Sequence, residues 1–173
     1  MKSVVVVMGV SGCGKSSAGS LLAQRLGVRF VEGDSLHPQA NVDKMRAGSP
    51  LDDDDRKPWL EKIGKALADA GEDGGVVIAC SALKKRYRDL LRDRAGPELR
   101  FIHLTGDRAV LAARMVNRPG HCMPVSLLDS QLATLEATYG EQDVLEVDCA
   151  MEQGLIIETS LAFLNATEGA DNE

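Results

Sequence analysis

The sequence predicts an α/β fold: a three-layer α/β/α domain on a parallel five-stranded sheet. Two observations lead there. Apolar, β-branched runs alternate along the chain with longer segments of helical periodicity, the pattern of strands joined by crossover helices. The first run, residues 4–8, is continuously apolar rather than alternating, as a strand buried on both faces should be. With 173 residues, 44% of them hydrophobic and 27% charged, the chain suits one domain spanning 1–173 with a substantial core. No repeat, low-complexity tract or interdomain linker divides it.

The elements follow in order. After the strand at 4–8, residues 15–26 read as a helix that Gly27 stops. A short strand at 29–32 precedes a helix over 37–47, ended by Gly48-Ser49-Pro50. Asp52 to Asp55 open a longer helix running to about residue 70, since acidic side chains favour a helix N-terminus. Asp55 also stands where it could orient its neighbour Arg56. The Gly74-Gly75 pair punctuates before a buried strand at 76–80. Residues 84–94 form an amphipathic helix with Tyr87, Leu90 and Leu91 on one side. A strand at 99–104 and a helix over 107–117, ending before Pro119, come next. A helix over 126–138, a strand at 144–147 and a helix over 151–164 complete the domain, and the small, polar residues 166–173 read as a fraying tail.

Charge and cysteine usage exclude several classes. A formal net charge of −6 lacks the basic footprint of nucleic-acid binders, so no nucleic-acid partner is expected. No segment approaches the ~20 apolar residues of a membrane span, and the run at 4–8 is too short for a secretory leader, so no membrane association is expected. Cys13, Cys80, Cys122 and Cys149 are scattered without a C-x-x-C pair, which argues against zinc and disulfides and fits a reducing, cytoplasmic setting.

Residues 9–16, Gly9-Val10-Ser11-Gly12-Cys13-Gly14-Lys15-Ser16, fit G-x-x-x-x-G-K-[ST] at every fixed position. A chance match in a chain of this length is on the order of one per cent. The motif also falls between a strand and a helix, where the P-loop mechanism needs it. Glycines let the backbone curl into a nest of N–H groups, and the following helix adds its positive end. Lys15 would reach the β- and γ-phosphates, and the Ser16 hydroxyl would ligate Mg²⁺. The nucleotide-binding candidates are therefore Gly9, Ser11, Gly12, Cys13, Gly14, Lys15, Ser16 and Ser17. A GTPase would carry N-K-x-D, and none is present. Large ATPases place a magnesium-binding Asp at the end of a hydrophobic strand. Here residues 76–79 lead into Cys80-Ser81, so that carboxylate lies elsewhere or is missing. Small size and a P-loop near the start point to a small-molecule kinase.

On the acceptor side, Asp34 follows the second strand, at the sheet edge where open α/β folds bind ligands. It can accept a proton from a substrate hydroxyl and aim the oxygen at the γ-phosphate, or it can cap the next segment. Arg114 and Arg118 lie four apart on one helix face, before Pro119-Gly120. They can close over the transferring phosphate as part of a small lid at about 114–126, or form a solvated basic face.

Longer patterns then resemble the gluconokinase family. Gly33-Asp34-Ser35-Leu36-His37-Pro38 is similar to its G-D-x-L-H-P segment, continued by Asn41, Lys44, Met45, Gly48 and Pro50-Leu51. Asp53, Asp55-Arg56 and Pro58-Trp59-Leu60 are similar to D-x-D-R-x-P-W-L. Cys80-Ser81-Ala82-Leu83-Lys84 with Tyr87-Arg88-Asp89, then Gly120-His121, Met123, Ser130-Gln131 and Leu135-Glu136, extend the likeness to about residue 148. Cys122 and Ala137 depart from it, where an aromatic residue and a proline are expected.

The resemblance implies a nucleoside-monophosphate-kinase-like P-loop fold, transfer of the ATP γ-phosphate to the 6-hydroxyl of D-gluconate, Mg²⁺, a cytosolic setting and a homodimer. Matched by position, Asp34 would meet the acceptor hydroxyl, with Arg114, Arg118 and His121 in the lid and Lys15, Asp34 and Arg118 as the catalytic set. A carboxylate substrate needs a cation, and Arg56, Lys84 and Arg88 are all candidates. Trp59 can face the sugar carbons or sit in the core, and His37 can bond the substrate or begin a helix. His103, inside a strand, reads as structural. The rival readings are a P-loop kinase for a shikimate-like acid or a nucleoside monophosphate, and a non-catalytic nucleotide-binding module.

Overall fold

The structure is a computed structural model and describes residues 2–117 and 125–170. Arg118, His121 and Cys122, with much of the lid expected at 114–126, lie outside the described residues.

Valines 4–7, at most 2% exposed, form the centre of β1 (Ser3–Met8). An apolar run without alternation stays buried only where both faces of the strand are covered. On its two edges β1 pairs in parallel with β3 (Gly75–Ala79) and β4 (Leu99–Thr105). β2 (Arg29–Glu32) and β5 (Val144–Asp148) complete a five-stranded parallel sheet in the order β2-β3-β1-β4-β5. The chain leaves β1 toward one edge and later crosses β1 toward the other. Ligands bind outside the carboxyl ends of the strands at such a reversal.

The helices are α1 (Lys15–Leu26), α2 (Gln39–Arg46), α3 (Asp53–Glu72), α4 (Lys85–Ala95), α5 (Arg108–Val116), α6 (Ser126–Thr134) and α7 (Gln153–Ala170). α1 packs on α7 and α3 on α4, and right-handed crossovers put these pairs on opposite faces of the sheet. α3 turns Trp59, Leu60, Ile63 and Leu67 inward at helical spacing. Its start is a capping box: Asp55 N–H donates to the Asp52 carboxylate at 2.7 Å, and Asp52 N–H to that of Asp55 at 3.0 Å. Among the described residues, no helix is long and apolar enough to cross a membrane.

Three sequence expectations need correction. The helix expected from residue 37 starts at Gln39, because Pro38 holds His37 in an extended conformation (φ −64°, ψ 137°). The helix expected to reach 138 ends at Thr134; beyond it Glu136 N–H donates to the Leu83 carbonyl at 2.8 Å, a tertiary bond that helical geometry would forbid. The tail expected to fray from 166 is helical to Ala170, α7 being laid against α1.

Candidate active site

The loop between β1 and α1 stands at the reversal point of the sheet. Gly9, Gly12 and Gly14 have φ of 142°, 83° and 90°, values that side chains resist. A side chain at Gly12 would also come within 2.7 Å of the Leu111 carbonyl oxygen. The first amides of α1 have no intrahelical acceptor by geometry. Among the described residues, those of Gly14, Lys15 and Ser16 meet no other. Lys15 folds back over the loop and donates to the Val10 carbonyl at 3.0 Å. The loop is held from α6, where Gln131 Oε1 accepts from Ser11 N–H at 2.8 Å and from its hydroxyl at 3.1 Å. The Ser16 hydroxyl donates to the Glu32 carboxylate at the end of β2.

Two recesses meet at this loop. One is lined by Gly12, Cys13, Gly14, Ser17, Arg114, Asn117 and Cys149, among others. Arg114 Nη2 is anchored on the Cys149 carbonyl at 3.0 Å, and its Nη1 lies 4.0 Å from where a side chain on Gly14 would begin. The other, a cleft, is lined by Ser11, Lys15, Asp34, His37, Arg56, Trp59, Ser81 and Gln131, with apolar walls from Met45, Leu51 and Leu83.

Asp34 sits in a 3-10 turn, Gly33–Leu36, directly after β2. Gly33 allows the turn to lie on β3: a side chain there would start 2.1 Å from the Ala79 carbonyl oxygen. Trp59, 1% exposed, donates its indole N–H to the Gly33 carbonyl at 2.8 Å. His37 stacks on the same indole, with centroids 4.0 Å apart and planes 16° apart. Burial pushes the His37 imidazole down to about 4, against the pull of the Asp34 carboxylate and with the push of Arg56. Arg56, 8% exposed, donates from Nη1 to the Tyr87 hydroxyl at 3.1 Å. That hydroxyl in turn donates to the Asp53 carboxylate. Asp53, not Asp55, therefore orients the arginine, because the Asp55 carboxylate is taken by Lys44 at 2.7 Å and by the capping box.

The cleft thus joins Lys15, Asp34, His37 and Arg56, and leaves two expected substrate ligands outside it. Lys84 pairs with Asp53 at 3.0 Å and does not line the cleft. Arg88 is fully buried and all five of its N–H directions are taken: by both oxygens of Glu141, and by the carbonyls of Ala82, Leu83 and Glu136. It staples the turn after β3 to the segment before β5 and has no donor left for a ligand. His103 is structural as expected, with Nδ1 3.0 Å from the Thr138 hydroxyl.

Two contributors escape sequence reasoning. Gln131 carries no signal beyond its place in the family-like pattern. Glu32 has one: it ends a strand at the same sheet edge as the P-loop. Its carboxylate meets the Ser16 hydroxyl at the end of β2, whereas β3 ends without a carboxylate.

A glycine-built anion cradle at the switch point of a parallel sheet, abutting a cleft lined by one carboxylate and two cations, defines a phosphotransferase of the P-loop class. A family model described as shikimate kinase matches residues 11–159. The thermosensitive gluconokinase of Escherichia coli (strain K12) is 48% identical over 147 residues, covering 83% of this chain and 77% of its own. The gluconokinase of Gluconobacter oxydans (strain 621H) is 44% identical over 165 residues, covering 95% and 92%. A crystal structure of a gluconokinase from Sinorhizobium meliloti 1021 superposes with a TM-score of 0.87 at 50% identity, over 95% of this chain and 93% of that one. The chain belongs to the gluconokinase family.

Proposed function

We propose that this protein transfers the γ-phosphoryl group of ATP to the 6-hydroxyl of D-gluconate, giving 6-phospho-D-gluconate and ADP. The observation that carries the reading is the meeting of Asp34 and Arg56 in one cleft that opens onto Lys15. The Arg56 guanidinium, oriented through Tyr87, offers its fork to the substrate carboxylate. Asp34 takes the proton of the terminal hydroxyl as that oxygen bonds to the γ-phosphorus and the bond to the β,γ-bridging oxygen breaks. Lys15 and the loop amides hold the phosphate oxygens on which charge is redistributed. Arg114 adds charge from the nucleotide side, and Arg118 and His121 are assigned to the lid.

The oxygen donors of Ser16 and Glu32 fit a small hard cation such as Mg²⁺. Ser16 and Glu32 would hold the ion, and it would supply positive charge against the phosphate oxygens. A cytoplasmic location and a homodimer are part of the same proposal. ADP release measured over a panel of sugar acids, shikimate and nucleoside monophosphates tests the reading. Gluconate is expected to give the highest kcat/KM by at least tenfold. No stimulation by gluconate, with turnover of shikimate or a nucleotide instead, transfers the assignment to that acceptor.

A further inference from the structure

The stack of His37 on Trp59 fixes the plane of the imidazole but not which nitrogen carries its proton. Asn41, 4% exposed and four residues further along, decides that. Its amide nitrogen lies 2.8 Å from the main-chain carbonyl oxygen of Asp55 and 3.2 Å from His37 Nδ1. A carbonyl oxygen only accepts, so the group facing it is the NH₂ and the orientation of the amide is forced. The second N–H of that NH₂ then faces His37 Nδ1, which must offer its lone pair. A proton on Nδ1 would set two donors against each other in a half-buried place. The same argument excludes the imidazolium, which carries protons on both nitrogens.

We propose that Asn41 is a positioning residue that locks His37 as the neutral Nε2–H tautomer, and that Nε2–H donates to one hydroxyl oxygen of the bound polyol, making the pair a specificity element of the acceptor cleft. The ligand half of this inference rests on the gluconokinase reading; the tautomer half rests on local hydrogen bonding alone. The lock has a chemical purpose. An imidazolium beside Asp34 would pair with the carboxylate that takes the substrate proton, and would stand against Arg56. A neutral donor reads a hydroxyl and leaves both free.

Nitrogen-15 imidazole spectra of the full-length protein at pH 7 read the tautomer directly, with His37→Phe assigning the signals. The wild type is expected to show the Nε2–H pattern for His37. Asn41→Leu is expected to give mixed tautomers, and Asn41→Asp, which can only accept, to move the proton to Nδ1 or charge the ring. Kinetics read the second half. His37→Phe keeps a ring against Trp59 but removes the donor, and is expected to lower kcat/KM for gluconate about tenfold, chiefly through KM. One monodeoxy gluconate, lacking the hydroxyl that His37 contacts, should be used equally well by variant and wild type. An Nδ1–H signal in the wild type overturns the lock and needs no variant to fold. Equal losses toward every deoxy analogue overturn the hydroxyl contact. A wild type inert toward gluconate removes the ligand half while the tautomer result stands.

Discussion

Trp59 donates its indole N–H to the Gly33 carbonyl at 2.8 Å, and this bond ties α3 to the turn that carries Asp34. The turn is pressed on its other side against β3, where no atom fits between Gly33 Cα and the Ala79 carbonyl. Asp34 is therefore set by two rigid elements rather than by its own loop. That suits the role proposed for Asp34, since small displacements of reacting atoms cost large factors in rate.

Gly33→Ala tests this. The added carbon would stand 2.1 Å from a main-chain oxygen in a central part of the sheet, so the turn or β3 must shift. The expected result is a fall in kcat of about a hundredfold with ATP affinity within about threefold, together with a lower Tm. Steady-state kinetics and nucleotide titration check it; an unchanged kcat would show that Asp34 tolerates displacement.

Asp34→Asn keeps the shape of the side chain and removes the base. Loss of a positioned proton acceptor is expected to lower kcat by about 10²–10⁴-fold while ATP binding stays near normal. Near-normal kcat in this variant would take Asp34 out of the reaction.

Arg56 and Arg88 look alike in sequence and should part in experiment. Arg56→Lys loses the planar fork and is expected to raise KM for gluconate at least tenfold, with little change in Tm. Arg88→Met strips the partner from carbonyls and a carboxylate inside the fold; Arg92 still pairs with Glu141 at 2.7 Å. About 3 kcal/mol of stability should go, a drop of roughly 6–12 °C in Tm, while KM of the folded enzyme is kept. A tenfold rise in KM without loss of Tm would return Arg88 to the substrate.

What the sequence reveals and what it hides divide by range. The P-loop is legible because strand, glycines, lysine and helix are consecutive, so chemistry and geometry are written in one stretch. Asp34 is legible because it closely follows a strand end at the binding edge. Arg88 follows a strand end too, yet its fate is decided by Glu141, 53 residues away, which no spacing discloses. The same holds for the end of α6, where the main chain of Leu83 captures Glu136 N–H although helical periodicity runs on. The link from Asp53 through Tyr87 to Arg56 likewise needs α3 and α4 laid side by side, whereas the sequence offers the adjacent Asp55 instead.

Two histidines are held neutral by burial, and this gives stability a definite pH dependence. Burial is the leading cause at both His37, taken down to about 4, and His103, also lowered. In the unfolded chain each titrates near 6.5. Between that value and the folded pKa the unfolded chain binds more protons, so unfolding free energy increases with pH there and falls as pH drops below about 6.5. The carboxylates held low by their partners, Asp55, Asp89, Asp129 and Glu141, act in the same direction but only at lower pH, as they approach their ordinary values. Urea unfolding at pH 7.5, 6.0 and 5.0 should therefore show stability declining before any carboxylate titrates. His37→Phe removes one of the groups responsible, and His103→Gln the other. Each variant should flatten the decline, and the double variant more than either. If wild type and double variant lose stability in parallel from pH 7.5 to 5.0, neither ring is buried in its neutral form.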